Sequence, residues 1–126
     1  MSVVVDSSVV LAVLRNEGGA ERAAPSLADG HLSSVNAVEV VTRLIDLGYG
    51  PDRAATALSR FRLTIVPFDE EQAMLAGRLR ADTRHRGLSL GDRACLALAI
   101  REEATALTAD RNWADLDLPC KVELIR

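Results

Sequence analysis

The stretch LSLGDRACLALAIREEATALTAD, residues 88–110, decides the fold. Ser89 is followed three residues later by Asp92, a Ser-x-x-Asp pattern that caps a helix ahead of an apolar run. Residues 94–100 (ACLALAI) are apolar on every side of that helix, so it must be central and buried. Ala104–Thr108 follows as a strand, and Asp110 stands just beyond its end. A buried helix feeding a short apolar strand is the repeating unit of an α/β protein with a parallel sheet.

The rest of the chain repeats this unit. Val3–Val5 is a β-branched run fit for a buried strand; it ends at Asp6, and Ser7 or Ser8 can cap a helix through Leu14. Gly18-Gly19 breaks that helix, a second runs to about Ala28, and His31–Ser33 forms a short strand. Residues 34–47 have helical spacing, with Val38, Val41, Leu44 and Ile45 apolar, and Gly48 stops them. Pro51 opens a helix to about Arg60, and Leu63–Val66 is a strand. Asp69 caps a longer helix to about His85, with Gly87 beyond it, and Val122–Ile125 is the last strand. These alternating elements predict one α/β domain over residues 1–126, with a mainly parallel sheet of about five strands. In such sheets a ligand lies beyond the carboxyl ends of the strands.

Composition narrows the function. Hydrophobic residues make up 48% of 126, enough for one core that buries roughly two-thirds of the unfolded chain's surface. Aromatics are only 3%, so Val, Leu, Ile and nineteen alanines must fill that core, and base stacking on an aromatic platform is disfavoured. The net charge of −3 denies the chain the global basic footprint of most nucleic-acid binders. Cys95 and Cys120 form no metal knuckle or disulfide framework. With no signal-peptide pattern and no membrane-length apolar run, a cytoplasmic protein is expected.

Four acids are candidates for the chemistry, each with a structural reading beside it. Asp6 ends the first strand; position alone weighs a helix cap and a crevice-facing carboxylate evenly. Glu39 falls on the polar arc of helix 34–47 with Arg43 and Asp46, opposite Val38, Val41 and Ile45, and position alone favours a solvated pair with Arg43. Asp92 is explained by its capping pattern, although a capping geometry can also fix a metal ligand. Asp110 ends a strand as Asp6 does, and two such acids in one parallel sheet are natural neighbours. Converging carboxylates either raise one another's pKa or require a cation. Mg²⁺ suits oxygen ligands and phosphodiester hydrolysis, and it would offset the acidic charge of the cleft.

VVVDSS at 3–8, NAVEVV at 36–41, LSLGDRACLALA at 88–99 and LTADRNW at 107–113 occur in that order. Together they resemble the PIN-domain family, and within it the VapC-type toxins of bacterial and archaeal toxin–antitoxin pairs. The resemblance spans residues 3 to 125. It implies a three-layer α/β/α fold and an Mg²⁺- or Mn²⁺-dependent endoribonuclease that a cognate antitoxin inhibits. It also implies a homodimer. By motif, Asp6 and Asp92 match the acids that hold the metal most directly. Glu39 and Asp110 match those that complete the pocket, directly or through water. Thr108 matches a small hydroxyl residue beside the fourth acid, and Ser7 or Ser8 one beside the first.

Other chemistries fit less well. A haloacid-dehalogenase-type phosphotransferase would need an Asp where Ser8 stands, and no GxGxxG or Walker loop is present. His31 and His85 are the only imidazoles and lie in no motif. The alternative from another class is a PIN-like module that binds RNA or protein without cleaving. Arg78, Arg80, Arg84 and Arg86 form the one basic cluster, either a solvated helix end or an RNA-backbone contact. Trp113 is expected to be a packing anchor.

Overall fold

The computed structural model describes residues 2–126. Five strands, β1 (Val3–Val5), β2 (His31–Ser33), β3 (Thr64–Val66), β4 (Thr105–Thr108) and β5 (Val122–Leu124), form one sheet in the order β3-β2-β1-β4-β5. Every pairing is parallel. The helices are α1 (Ser7–Leu14), α2 (Ala20–Leu27), α3 (Ser34–Asp46), α4 (Pro51–Ser59), α5 (Glu70–Thr83) and α6 (Leu90–Glu102). Single 3₁₀ turns follow at Arg84–Arg86 and Arg111–Trp113. Among the described residues no helix is long and apolar enough to cross a membrane.

Strand residues alternate between two faces, and each face has its own core. Val5 and Leu107 pack with Val9, Val10, Leu27, Val40, Leu44 and Leu58 from α1 to α4. Val4 and Ala106 pack on the other face with Leu79, Leu88, Trp113 and the middle of α6. Ala94–Ala99 of α6 are wholly shielded from solvent, as an all-round apolar helix requires. Trp113 is likewise sealed in this core and stacks on nothing external. The result is the expected three-layer α/β/α arrangement.

Two local expectations are corrected. Neither Ser7 nor Ser8 caps α1: Asp6 occupies the N-cap position, with no side-chain capping bond. In α3 the inward positions are Asn36, Val40 and Leu44, whereas Val38 is 65% and Ile45 40% exposed. The buried face of α3 thus runs along an i, i+4, i+8 row that starts at a polar residue, and apolar spacing alone mistook its direction.

The topology positions the site. From β1 the chain builds outward to β2 and β3 on one side, while β4 and β5 lie on the other. The boundary between β1 and β4 is therefore the point where strand order reverses, and in parallel sheets the ligand site lies at the carboxyl end of that boundary. The register pairs Val5 with Leu107, and the Asp6 N–H donates to the Leu107 carbonyl at 2.9 Å. Asp6, just past β1, and Thr108, the last residue of β4, thus stand side by side at the carboxyl end of the sheet.

Candidate active site

Asp6 is almost completely buried, yet its carboxylate has no helix-capping work. One oxygen, Oδ2, accepts from Ser8 Oγ at 2.6 Å and from Thr108 Oγ1 at 3.1 Å. Both hydroxyls are themselves oriented by backbone amides: Ala109 N donates to Ser8 Oγ, and Asp110 N donates to Thr108 Oγ1, each at 3.0 Å. The sequence therefore supplies two short hydroxyl side chains where two strands end, and both are spent on holding one carboxylate. The other oxygen, Oδ1, is buried with no hydrogen-bond partner. A buried carboxylate oxygen without a donor is costly unless a proton or a cation meets it.

Glu39 does not pair with Arg43. Its Oε1 accepts from Ser7 Oγ at 3.0 Å and from Asn36 Nδ2 at 2.8 Å, which ties α3 to the start of α1. Asn36 also donates to the Gly91 carbonyl at 3.0 Å, so one buried amide joins Glu39 to the first turn of α6. Gly91 is buried against the Glu39 carboxylate, and a Cβ there would overlap it. A side chain at position 91 would push the Glu39 carboxylate from the place where Ser7 and Asn36 hold it.

Asp92 does make the expected capping box: Ser89 N donates to Asp92 Oδ2 at 2.9 Å, and Asp92 N donates to Ser89 Oγ at 3.2 Å. The box uses Oδ2 alone. Asp110 caps the 3₁₀ turn after β4, its Oδ1 accepting from Asn112 N at 2.9 Å.

The acids act on one another in pairs. Burial pushes the Asp6 carboxyl up from 3.8 to about 7; the bond from Ser8 opposes this, and the charges of Asp92 and Glu39 reinforce it. Burial raises Asp92 as well, against its Ser89 bonds and with help from the charge of Asp110. Asp6 thus feels Asp92 and Glu39, and Asp92 feels Asp110. The structure places Asp6 and Asp110 just beyond the carboxyl ends of β1 and β4, with Glu39 on α3 and Asp92 in the first turn of α6 as their electrostatic neighbours. His31 lies elsewhere: it opens β2 at the opposite end of the sheet and bonds Glu102 at 2.8 Å.

These residues suit a hydrated divalent cation. Among the described residues no three His, Cys, Asp or Glu side chains close tightly enough to cage a bare ion. Mg²⁺ asks for no such cage, because it is held through one or two carboxylates and keeps several waters. The groups that bond one another here are carboxylates, hydroxyls and one amide, and oxygen donors of this kind suit a hard cation such as Mg²⁺. The unpartnered Asp6 Oδ1 is the atom such an ion would satisfy.

The PIN domain profile matches residues 3–118, nearly the whole chain. The chain belongs to the PIN-domain family. No curated protein matches it, but solved structures share its fold. One is the DNA-bound VapBC from Salmonella typhimurium, at 16% identity and a TM-score of 0.76, over 100% of this chain and 99% of that one. Another is a toxin–antitoxin complex from Klebsiella pneumoniae, at 18% identity and 0.72, over 94% and 98%. A third is VapC20 from Mycobacterium tuberculosis, described as a sarcin–ricin loop cleaving toxin, at 18% identity and 0.72, over 89% and 92%. At these identities the likeness is one of fold, and the fold is that of the VapC-like toxins.

Three residues around this PIN-domain site were not singled out from sequence. Asn36 and Gly91 lie inside the quoted motifs, and their signal was a polar residue one turn before Glu39 and a glycine in a helix's first turn. Asn112 lies inside the 107–113 motif too, but its partner Arg86 is 26 residues away and nothing local marks that pairing.

Proposed function

We propose that the chain is a metal-dependent endoribonuclease acting as the toxin of a toxin–antitoxin pair. The observation that carries this is Asp6: a buried, charge-crowded carboxylate at the strand-order switch point, with one oxygen free of any partner. Asp6 and Asp92 would hold Mg²⁺ or Mn²⁺, and Glu39 and Asp110 would complete its surroundings, directly or through water. The bound cation would supply an activated water and would neutralise charge at the phosphodiester. The protein's part is preorganisation. Ser8 and Thr108 fix the Asp6 carboxylate, the Ser89 box fixes Asp92, and Ser7 with Asn36 fixes Glu39.

Attack by water leaves the ribose 2′-hydroxyl unused. Cleavage should therefore give 5′-phosphate and 3′-hydroxyl ends, and should stop in excess EDTA. End-labelling of the products before and after phosphatase treatment checks this. A 2′,3′-cyclic phosphate, or full activity in EDTA, would refute it. A non-cleaving binding module would show metal binding and no products.

We extend the proposal to the partners. Val38 and Ile45 lie two turns apart on one side of α3 and expose apolar surface, as does Leu90 at 57% on α6. A homodimer would cover such surface. The cognate antitoxin would place an arginine at Asp6, Asp92 or both, because a guanidinium replaces a cation's charge and bonds carboxylates bidentately. Light scattering should give a dimer at micromolar concentration, and added Mg²⁺ should weaken inhibition. A monomer would defeat the first claim, and metal-insensitive inhibition the second.

A further inference from the structure

Four acids lie around one end of the sheet in a chain whose net charge is already −3. A polyanion needs local positive charge to approach it. The cluster seen in sequence splits in space. Arg78 and Arg80 lie on α5, whereas Arg84 and Arg86 belong to the 3₁₀ turn that follows it. The part near the acids is the turn that follows α5, and a reciprocal latch fixes it there. Arg86 Nη1 donates to the Asn112 carbonyl at 3.1 Å, and Asn112 Nδ2 donates back to the Arg86 carbonyl. Asn112 N in turn donates to Asp110. The latch therefore brings the Arg84–Arg86 turn, three residues before the Ser89 cap of Asp92, against the Arg111–Trp113 turn that Asp110 caps.

Two cations ride on these joined turns. Arg84 and Arg111 are exposed, and among the described residues neither makes a hydrogen bond or ion pair through its side chain. Arg43, Arg60, Arg62, Arg78 and Arg80 are likewise unpaired among the described residues, and what sets Arg84 and Arg111 apart is their place on the two joined turns, next to the residues that cap Asp92 and follow Asp110. We propose that Arg84 and Arg111 form a cationic rim that grips the backbone phosphates of single-stranded RNA beside the four acids. The Arg86–Asn112 latch sets the position of that rim. The inference rests on the nuclease assignment and adds the surface by which an acidic protein would hold a polyanion.

The test measures binding of a labelled single-stranded RNA in Mg²⁺ across a range of KCl concentrations. An Asp6→Asn parent keeps the RNA intact. Arg84→Ala with Arg111→Ala should lower the slope of log affinity against log salt by about 1.4, roughly 0.7 for each lost phosphate contact. Affinity near physiological salt should fall about tenfold. Arg60→Ala with Arg62→Ala removes the same charge from the chain just before β3, at the amino end of the sheet, and should leave the slope unchanged. In otherwise wild-type protein the rim pair should raise KM and leave kcat nearly intact.

A rim pair that behaves like the control pair overturns the proposal. So does a lowered melting temperature with an unchanged slope, which would assign Arg84 to the helix C-terminus alone. Loss of poly-glutamate binding with RNA binding intact would give the rim to an acidic protein partner and also overturn it. Those results leave the nuclease assignment standing if the wild-type chain cuts RNA. A wild-type chain that neither binds nor cuts RNA would overturn both.

Discussion

Replacing Asp6 by Asn is expected to reduce RNA cleavage by on the order of a thousandfold or more, about 4 kcal/mol of transition-state stabilisation, while the protein stays folded. The substitution keeps the shape of the side chain. An amide oxygen in place of Oδ2 can still accept from Ser8 and Thr108, so the hydroxyl pair that orients position 6 survives. What disappears is the negative charge and the second oxygen, the one with no partner in the protein. If that oxygen only caps or packs, the change should barely affect turnover. Single-turnover cleavage of a labelled RNA, with circular dichroism to confirm the fold, separates the two. Retention of more than about a tenth of wild-type activity would remove Asp6 from the machinery.

The second large effect is on stability, and its sign follows from the raised pKa of Asp6. Because the folded carboxyl titrates near 7 instead of 3.8, the folded state holds a proton that the unfolded state has lost. The stabilisation this gives is fully present below about pH 4 and disappears as pH rises through about 7. Asp92 shifts in the same direction. Metal-free protein should therefore lose on the order of 3 kcal/mol between pH 4 and pH 8, several degrees in Tm. Asp6→Asn has no such proton to lose, so its metal-free Tm should change less with pH and exceed that of wild type at pH 8. Mg²⁺ should restore wild-type stability most strongly above pH 7, where cation and proton no longer compete, and should do little for the variant. Thermal melts at pH 5 and pH 8, with EDTA or Mg²⁺, check all four corners. A wild-type Tm that rises from pH 5 to pH 8 in EDTA would show that Asp6 is not held proton-bound by its surroundings.

Much of this site could be read from the chain because two of its acids end strands. Val3–Val5 and Ala104–Thr108 are apolar runs that each stop just short of an Asp, and a parallel sheet brings such ends together. Asp92 was marked by Ser89 and the apolar helix behind it. Glu39 was different. Helix α3 has apolar residues on nearly every side, and its largest exposed ones, Val38 and Ile45, look like core until tertiary packing is known. Its true inward row begins with Asn36, a polar residue that hydrophobic periodicity counts against burial. Only the ordered motifs brought Glu39 into the set. A hydroxyl after a strand usually caps the next helix, which made Ser7 or Ser8 a candidate cap, while the motif set one of them beside Asp6. Here the Asp6 and Glu39 carboxylates compete for them and win. The Arg86–Asn112 latch joins turns that are distant in sequence, and no local pattern announces such a pairing.

The most direct measurement is a calorimetric titration of Mn²⁺ into metal-free protein at pH 7.5, with wild type beside Asp6→Asn and Asp92→Asn. Saturable binding is expected in the wild type, with loss of most affinity in each variant, because both carboxylates would hold the ion. Equal binding by all three proteins, or no saturable heat in the wild type, would contradict a metal centre built on Asp6 and Asp92.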